Sequence, residues 1–291
     1  MNLVAVCLIL LSAVMHAVRN FYTKKSNDKQ VFVWWYELVG IILFLPVFVY
    51  YFWKEGMGSS TGIMLGIISG IVHGTYWITH AKAYEHGDLS HVYPIMRAAP
   101  LLVVPFAWIF LNEHISLIGF LGILLMVVGV YVVNMKSVTL KTLFEPLKSI
   151  TYERAIQWAF VTLLLVTAYS LIDKAGVDIV HPMVFTYYFT VVGFIFFSGF
   201  VFAKKRGLMM REVSENKKMI LLNGFLGVTG YALTLAALSL EKVSYATGLR
   251  QTSVLFAVLM GGQLLQEKHR TIRFTAATLM VVGAVLISVA S

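Results

Sequence analysis

The sequence predicts an all-α membrane protein with ten transmembrane helices in two inverted five-helix repeats. Three observations carry that expectation. Hydrophobic residues fill 59% of the 291 positions and charged residues only 13%, whereas soluble domains carry about 25% charged residues. Apolar stretches of about 20 residues, enough to cross a bilayer, recur along the whole chain. The pattern of the first half returns 154 residues later in the second.

The apolar stretches lie near 2–21, 31–53, 62–83, 89–112, 115–134, 154–174, 181–203, 218–240, 244–265 and 271–290. Most loops between them are very short. The longest divides the chain into a first repeat at 1–135, a connecting loop at 136–153 and a second repeat at 154–291. Met1 to Asn20 is apolar but lacks the basic leader of a secretory signal, so it reads as an uncleaved first helix. Its far end carries His16, Arg19, Asn20 and Thr23 on a polar face. The second helix holds Glu37, which reads as the only acid well inside a span.

The third helix has Gly62, Gly66, Gly70 and Gly74 on one face, and the eighth has Gly224, Gly227 and Gly230. Small residues at this spacing let a neighbouring helix approach closely. The third helix also aligns His73, Trp77, His80 and Tyr84, with Tyr76 beside them, which suggests a cavity wall. The fourth opens on Ser90-His91-Val92-Tyr93-Pro94-Ile95-Met96-Arg97 and adds Pro100 and Pro105. The ninth opens on Ser244-Tyr245-Ala246-Thr247-Gly248-Leu249-Arg250-Gln251. Proline interrupts the backbone ladder, which membrane helices tolerate where the freed groups line a cavity. Tyr169 and Asp173 in the sixth helix, with Asn223, Tyr231 and Thr234 in the eighth, read as rim residues.

Of the 23 Lys and Arg, 17 fall in the loops joining helices 1–2, 3–4, 5–6, 7–8 and 9–10. Lys54, Lys174 and Lys242 lie in the opposite loops, and Arg19, Arg97 and Arg250 lie within helices. The excess of cations on one side predicts that this side is cytoplasmic and both termini lie outside. The formal charge of +9 is therefore a topology signal rather than a nucleic-acid footprint. One cysteine, Cys7, excludes an intrachain disulfide and a cysteine metal site.

Leu111-Asn112-Glu113 falls on Leu265-Gln266-Glu267, and Leu125-Met126-Val127-Val128-Gly129 falls on Leu279-Met280-Val281-Val282-Gly283. With these duplicated marks in a ten-helix frame, the chain resembles the EamA-type branch of the drug/metabolite transporter superfamily over essentially its whole length. The resemblance implies export or uptake of amino acids, sugars, nucleotide sugars or other metabolites. Many members look termini-in, and the orientation predicted here departs from them.

An arginine at bilayer depth is costly and points to function. Arg97 and Arg250 approach the central plane from opposite faces, Arg97 at roughly 12 Å depth by helical rise. A guanidinium suits a carboxylate or phosphate. An ion pair between Arg97 and Glu37, or snorkelling of Arg250 to headgroups, is the structural alternative. The residues expected to touch substrate are Arg97, Arg250, Glu37, His73, Tyr76, Trp77, Tyr93, Asn223 and Tyr231. Glu37 and His73 are the candidates for coupling to protons.

The functional expectation is a secondary transporter in a bacterial inner membrane, working by alternating access. It would carry a small anionic or zwitterionic metabolite such as an amino acid or organic phosphate. A flippase for an anionic lipid or lipid-linked precursor is the alternative. The sequence offers no zincin pattern, paired acids or Ser/His/Asp grouping at fixed spacing, so no enzyme activity, cofactor or metal is expected.

Overall fold

The computed structural model of the chain describes residues 1–86, 92, 95–133, 153–256 and 270–290. Within them all regular structure is helical. Helix α1 (Leu3–Lys25) begins under Asn2, whose side chain accepts from the Val4 N–H at 2.8 Å. Helix α2 (Lys29–Glu55) begins under Asp28, which accepts from the Gln30 and Val31 N–H groups, and stops at Gly56 with φ 78°. Such side chains satisfy amides that lack an intrahelical partner. Helix α3 spans Ser60–His86. Helix α4 (Ala99–Leu111) ends on Asn112 in the left-handed region, at φ 53°. Then follow α5 (Leu117–Val133), α6 (Arg154–Val177) and α7 (Pro182–Lys205), the last with proline in its first turn. Helices α8 (Met209–Leu238), α9 (Val243–Leu249) and α10 (Arg270–Val289) complete the order.

Helical segments stand at the ten expected places, but not all are full spans. Leu3–Thr23, Lys29–Glu55, Ser60–Ala83, Arg154–Val177 and Pro182–Leu238 are long and apolar enough to cross a membrane, and the last of these joins two of the expected helices. The fourth and ninth helices are broken. The expected loop at 204–217 is instead a 3-10 turn, Arg206–Leu208, followed by the first turns of α8, which kink at Asn216 (φ −120°, ψ 17°). Polar residues there gave no apolar period from which to read a helix.

The packing identifies the symmetry. Helix α3 crosses into the second half and packs on α6 and α7, while α8 crosses into the first and packs on α1 and α2. The equivalent helices α5 and α10 pack on each other, as do α2 and α7. Both of these pairs run antiparallel. Gly122 meets Gly283 and Ile287, whereas Gly129 meets Ala276 and Met280. Trp34 donates to Ser198 at 2.8 Å, whereas Phe48 stacks on Tyr187 at 4.1 Å. An axis that exchanges antiparallel helices is perpendicular to them and so lies in the membrane plane. The halves are therefore inverted, as odd-numbered repeats require.

The glycines permit this crossing. A β-carbon on Gly70 would lie 2.8 Å from the Phe189 carbonyl oxygen, and one on Gly224 would lie 2.9 Å from that of Tyr36. Two buried hydroxyl pairs add polar contact between the halves: Ser12 with Thr234 at 2.7 Å, and Thr162 donating to Thr79 at 3.1 Å.

At the basic end, Lys205 on α7 donates to Asp28 at 2.9 Å and Glu212 accepts the Asp28 N–H at 2.9 Å. Partial burial pushes the Asp28 carboxyl upward. Bonds from Lys205 and from the Val31 and Gln30 amides outweigh that and hold it below its usual range.

Candidate functional site

The fourth and ninth helices both break where their arginine stands. Ala98 (φ −77°, ψ 0°) interrupts the chain just after Arg97; its N–H bonds Ile95 O at 3.1 Å, and Leu101 N–H bonds Ala98 O at 3.0 Å. In the other half Gln251 N–H bonds Gly248 O, Ser253 N–H bonds Arg250 O and Val254 N–H bonds Gln251 O. Residues 252–256 are then helical again. Each break is one tight turn of i→i+3 bonds, a geometry that often marks a hinge inside a helix. Pro100 explains the first break, because it cannot continue an incoming ladder yet suits a first turn. The second follows Gly248, the weakest helix former short of proline.

A cavity of about 60 Å³ lies between the breaks, with room for a few waters at roughly 10–15 Å³ each. Its walls are His16 on α1, Tyr76 and His80 on α3, and Met96, Arg97, Ala99 and Pro100 at the first break. Val166, Tyr169 and Ser170 on α6, with Thr247, Arg250 and Gln251 at the second break, close it. The Gln251 side chain is buried and its Oε1 has no hydrogen-bond partner among the described residues.

The cavity is electropositive. Arg97 Nη2 lies 3.0 Å from His16 Nε2, and Arg19 Nη2 lies 3.1 Å from His16 Nδ1. A neutral imidazole offers one acceptor nitrogen, so only one of these guanidiniums can donate to it and the other meets a ring N–H. The charge of Arg250 also acts on His16. Arg19 lies over the Tyr36 ring at 5.6 Å, and Arg250 over the Tyr231 ring at 5.1 Å.

Directly behind the α6 wall is a second polar cluster. Asp173, with 0% exposure, accepts from Ser69 Oγ and from the Tyr231 hydroxyl, each at 2.5 Å, and lies 3.2 Å from His73 Nε2. His73 is stacked between Tyr169 (4.0 Å) and Phe189 (4.6 Å). A serine, a histidine and an aspartate thus meet, but Ser69 gives its proton to the acid rather than facing the imidazole. That is not the order of a nucleophilic triad, in which the base faces the hydroxyl.

The model of the EamA-like transporter family matches residues 3–135 and 153–289. The chain belongs to the EamA-like transporter family. It is also similar to the uncharacterized protein MJ1333.1 of Methanocaldococcus jannaschii, at 28% identity over 136 residues. The aligned stretch is 46% of this chain but 98% of that protein, so the relative is about one repeat long. A solved crystal structure superposes with a TM-score of 0.74 over 99% of this chain and 97% of the other. At 13% identity that likeness shows the fold alone. The chain is thus a multi-pass membrane transporter of the drug/metabolite type.

Within this EamA-like frame the expected site residues separate. Arg97, Arg250 and Tyr76 line the cavity. Glu37 does not pair with Arg97 among the described residues; the cation acting on it is Arg19. Helix α2 packs chiefly on α7 and α8, whereas α4, which follows Arg97, packs on α5, α6 and α9. His73 and Tyr231 sit behind the wall with Asp173. Trp77 turns away from the cavity, edge-on to Phe197 at 5.5 Å and against Gly193. At 100° per residue it stands about 100° round the helix from Tyr76, so one face could not carry both. Asn223 is fully buried and donates to Met219 O at 2.8 Å, outside the cavity lining. Tyr93 lies outside the described residues, as does Glu267.

Three residues emerge that sequence reasoning placed at the rim or passed over. Asp173, not Glu37 alone, is an acid buried within the bundle. His16 joins two arginines, and Gln251 offers an acceptor that has no partner among the described residues. The signal for Asp173 was Tyr169 and Asp173 at i, i+4 facing Ser69 and His73 at i, i+4 on another helix. Glu113 is architectural. Its carboxylate accepts from Val243 N–H at 2.7 Å, Ser244 N–H at 3.2 Å and Ser244 Oγ at 2.9 Å. It thereby caps α9 from the other half.

Proposed function

We propose that this protein is a secondary transporter that moves a small anionic or zwitterionic metabolite by alternating access, holding the anionic group between Arg97 and Arg250. One observation carries the reading: the arginines at the breaks of two equivalent helices line the same cavity. In an inverted repeat, exchanging the conformations of the two halves exposes such a site to opposite sides in turn. Guanidiniums in a water-poor cavity favour a carboxylate or phosphate through charge-assisted bonds. Gln251 Oε1, without a partner among the described residues, suits a hydroxyl or ammonium donor next to that group. The compact cavity supports a solute over the alternative of a lipid headgroup with its tails. The cation-rich loops support termini outside the cytoplasm, in a bacterial inner membrane.

The test is binding to detergent-purified, monodisperse protein of glycerol 3-phosphate, L-aspartate and inorganic phosphate, with glycerol as neutral control. At a hundred times its Kd a ligand stabilises by about 2.7 kcal/mol, so at least one anion should raise the unfolding temperature where glycerol does not. Gln251→Leu should weaken glycerol 3-phosphate more than inorganic phosphate. If no anion stabilises beyond glycerol, or only phosphatidylglycerol does, the solute reading fails.

A further inference from the structure

The cluster behind the cavity wall has no role in holding the anion, and its geometry points to a second activity. We infer that Asp173 and His73, with Tyr231, form a proton-binding site, and that the protein carries a proton together with its anion. The coupling rests on the anion reading above; the proton site does not.

Asp173 is fully buried, and its three side-chain contacts among the described residues are a serine hydroxyl, a tyrosine hydroxyl and an imidazole. None of these is a permanent cation. A buried carboxylate without a counter-charge in contact is strongly disfavoured. His73 is the one contacting group that can neutralise it, by taking up a proton.

The charged and titratable groups on every helix around the pair bear this out. On α6, Lys174 follows Asp173 but is held by Asp178 at 2.7 Å and by the Leu238 carbonyl at 2.9 Å. Also on α6 is Tyr169, stacked on His73, with Tyr76 of α3 edge-on to it at 5.6 Å. Helix α7 contributes the uncharged Phe189. Helix α8 contributes Tyr231, and one turn before it a β-carbon on Gly227 would lie 3.4 Å from Arg19 Nη1 of α1. Helix α9 contributes Arg250, separated from Asp173 by the Tyr231 ring.

The proton balance follows from the hydrogen bonds. An ionised carboxylate only accepts, so before the site takes up its proton His73 Nε2, 3.2 Å from Asp173 Oδ2, carries the ring hydrogen. The tautomer is assigned from this bonding pattern. The added proton enters at Nδ1, and the resulting imidazolium stays bonded to Asp173. No other covalent bond forms or breaks.

Two cavity residues connect this site to the anion. Tyr169 lines the cavity and stacks on His73; Arg250 lines it and covers Tyr231. The positive charge of Arg250 opposes proton uptake next to it. An anion bound at Arg250 cancels that opposition, so the anion raises proton affinity and, by linkage, the proton raises anion affinity by the same factor. The two therefore travel in the same direction.

The experiment has two arms. In the first, the native protein carries isotope-labelled histidine in lipid nanodiscs and is titrated without any solute. The His73 signal, assigned by its loss in His73→Gln or His73→Phe, should change with pH in the native protein and change differently in Asp173→Asn. A His73 signal that does not titrate in the native protein overturns the proton site whatever solute is carried. In the second arm, liposomes containing the protein are given radiolabelled glycerol 3-phosphate, L-aspartate and inorganic phosphate. An inward gradient of one pH unit should drive about tenfold accumulation for a one-proton electroneutral symport. Asp173→Asn should abolish that accumulation while exchange of internal for external solute continues. Accumulation that persists in Asp173→Asn overturns the coupling. Absence of exchange in the native protein contradicts the anion reading instead, and leaves the first arm to decide the proton site.

Discussion

Removing the Glu113 carboxylate should destabilise the whole bundle, because it is a bond between halves rather than a surface charge. Its two oxygens serve the Val243 and Ser244 amides and the Ser244 hydroxyl, and both partner residues have 0% exposure. These amides open α9, so they have no carbonyl one turn earlier to bond. In Glu113→Ala each is left buried without an acceptor, at about 1–3 kcal/mol apiece. The negative charge at a helix N-terminus is also lost, worth up to about 2 kcal/mol when partly buried. Such losses are not additive, so the expected cost is about 3–5 kcal/mol, similar to that of breaking a buried charged pair. Glu113→Gln keeps one carbonyl but turns an amide N–H₂ toward Ser244, and should cost roughly half as much. Reversible unfolding in mixed micelles measures both. A loss below about 1 kcal/mol in Glu113→Ala would refute the reasoning, since surface substitutions fall within ±0.5 kcal/mol.

Three further outcomes are expected. Gly70→Ala places a methyl 2.8 Å from the Phe189 carbonyl oxygen and 2.6 Å from Val192 Cβ; overpacking there should cost about 1–3 kcal/mol, read by the same unfolding assay, and an unchanged midpoint would deny the close crossing of α3 and α7. Asp28, depressed by Lys205 and two amides, stabilises above its unfolded value near 3.9, and that contribution is lost as pH falls through its lower folded value; for a partly exposed pair it is about 1 kcal/mol or less. Asp28→Asn should therefore lose stability at neutral pH and flatten the acid limb of the stability profile. A reporter that works only in the cytoplasm should stay dark when fused after Ser291, and brightness would reverse the topology.

The frame was legible because its signals are local or periodic. Apolar length located the helices, and Leu-x-Glu at 111–113 and 265–267 marked the repeat. The glycines of α3 and α8 announced close crossings. Arg97 and Arg250 were legible as cavity residues because a charge inside a bilayer needs a cavity or a counter-charge, and Tyr76 because it stands beside a polar aromatic stripe. Which helices meet was not legible. Glu37 and Arg97 looked like partners by depth, yet α2 and the fourth helix have different neighbours. Asp173 looked like a rim residue because it stands four positions before the end of α6, and only the crossing of α3 from the other half buries it. Trp77 shared a stripe with His73, but helix rotation between neighbouring residues carried it onto α7. The break at Arg250–Gln251 has no proline to declare it.

The central claim is that guanidinium geometry at the two breaks recognises an anion. The most direct measurement is the affinity of the tightest-binding anion, among glycerol 3-phosphate, L-aspartate and inorganic phosphate, for native, Arg97→Lys and Arg250→Lys proteins of matched monodispersity. Lysine keeps the charge but loses the planar fork. Losing a charge-assisted bond of about 1.5–3 kcal/mol should weaken binding roughly tenfold to a hundredfold in each variant. Unchanged affinity in both folded variants would contradict the claim.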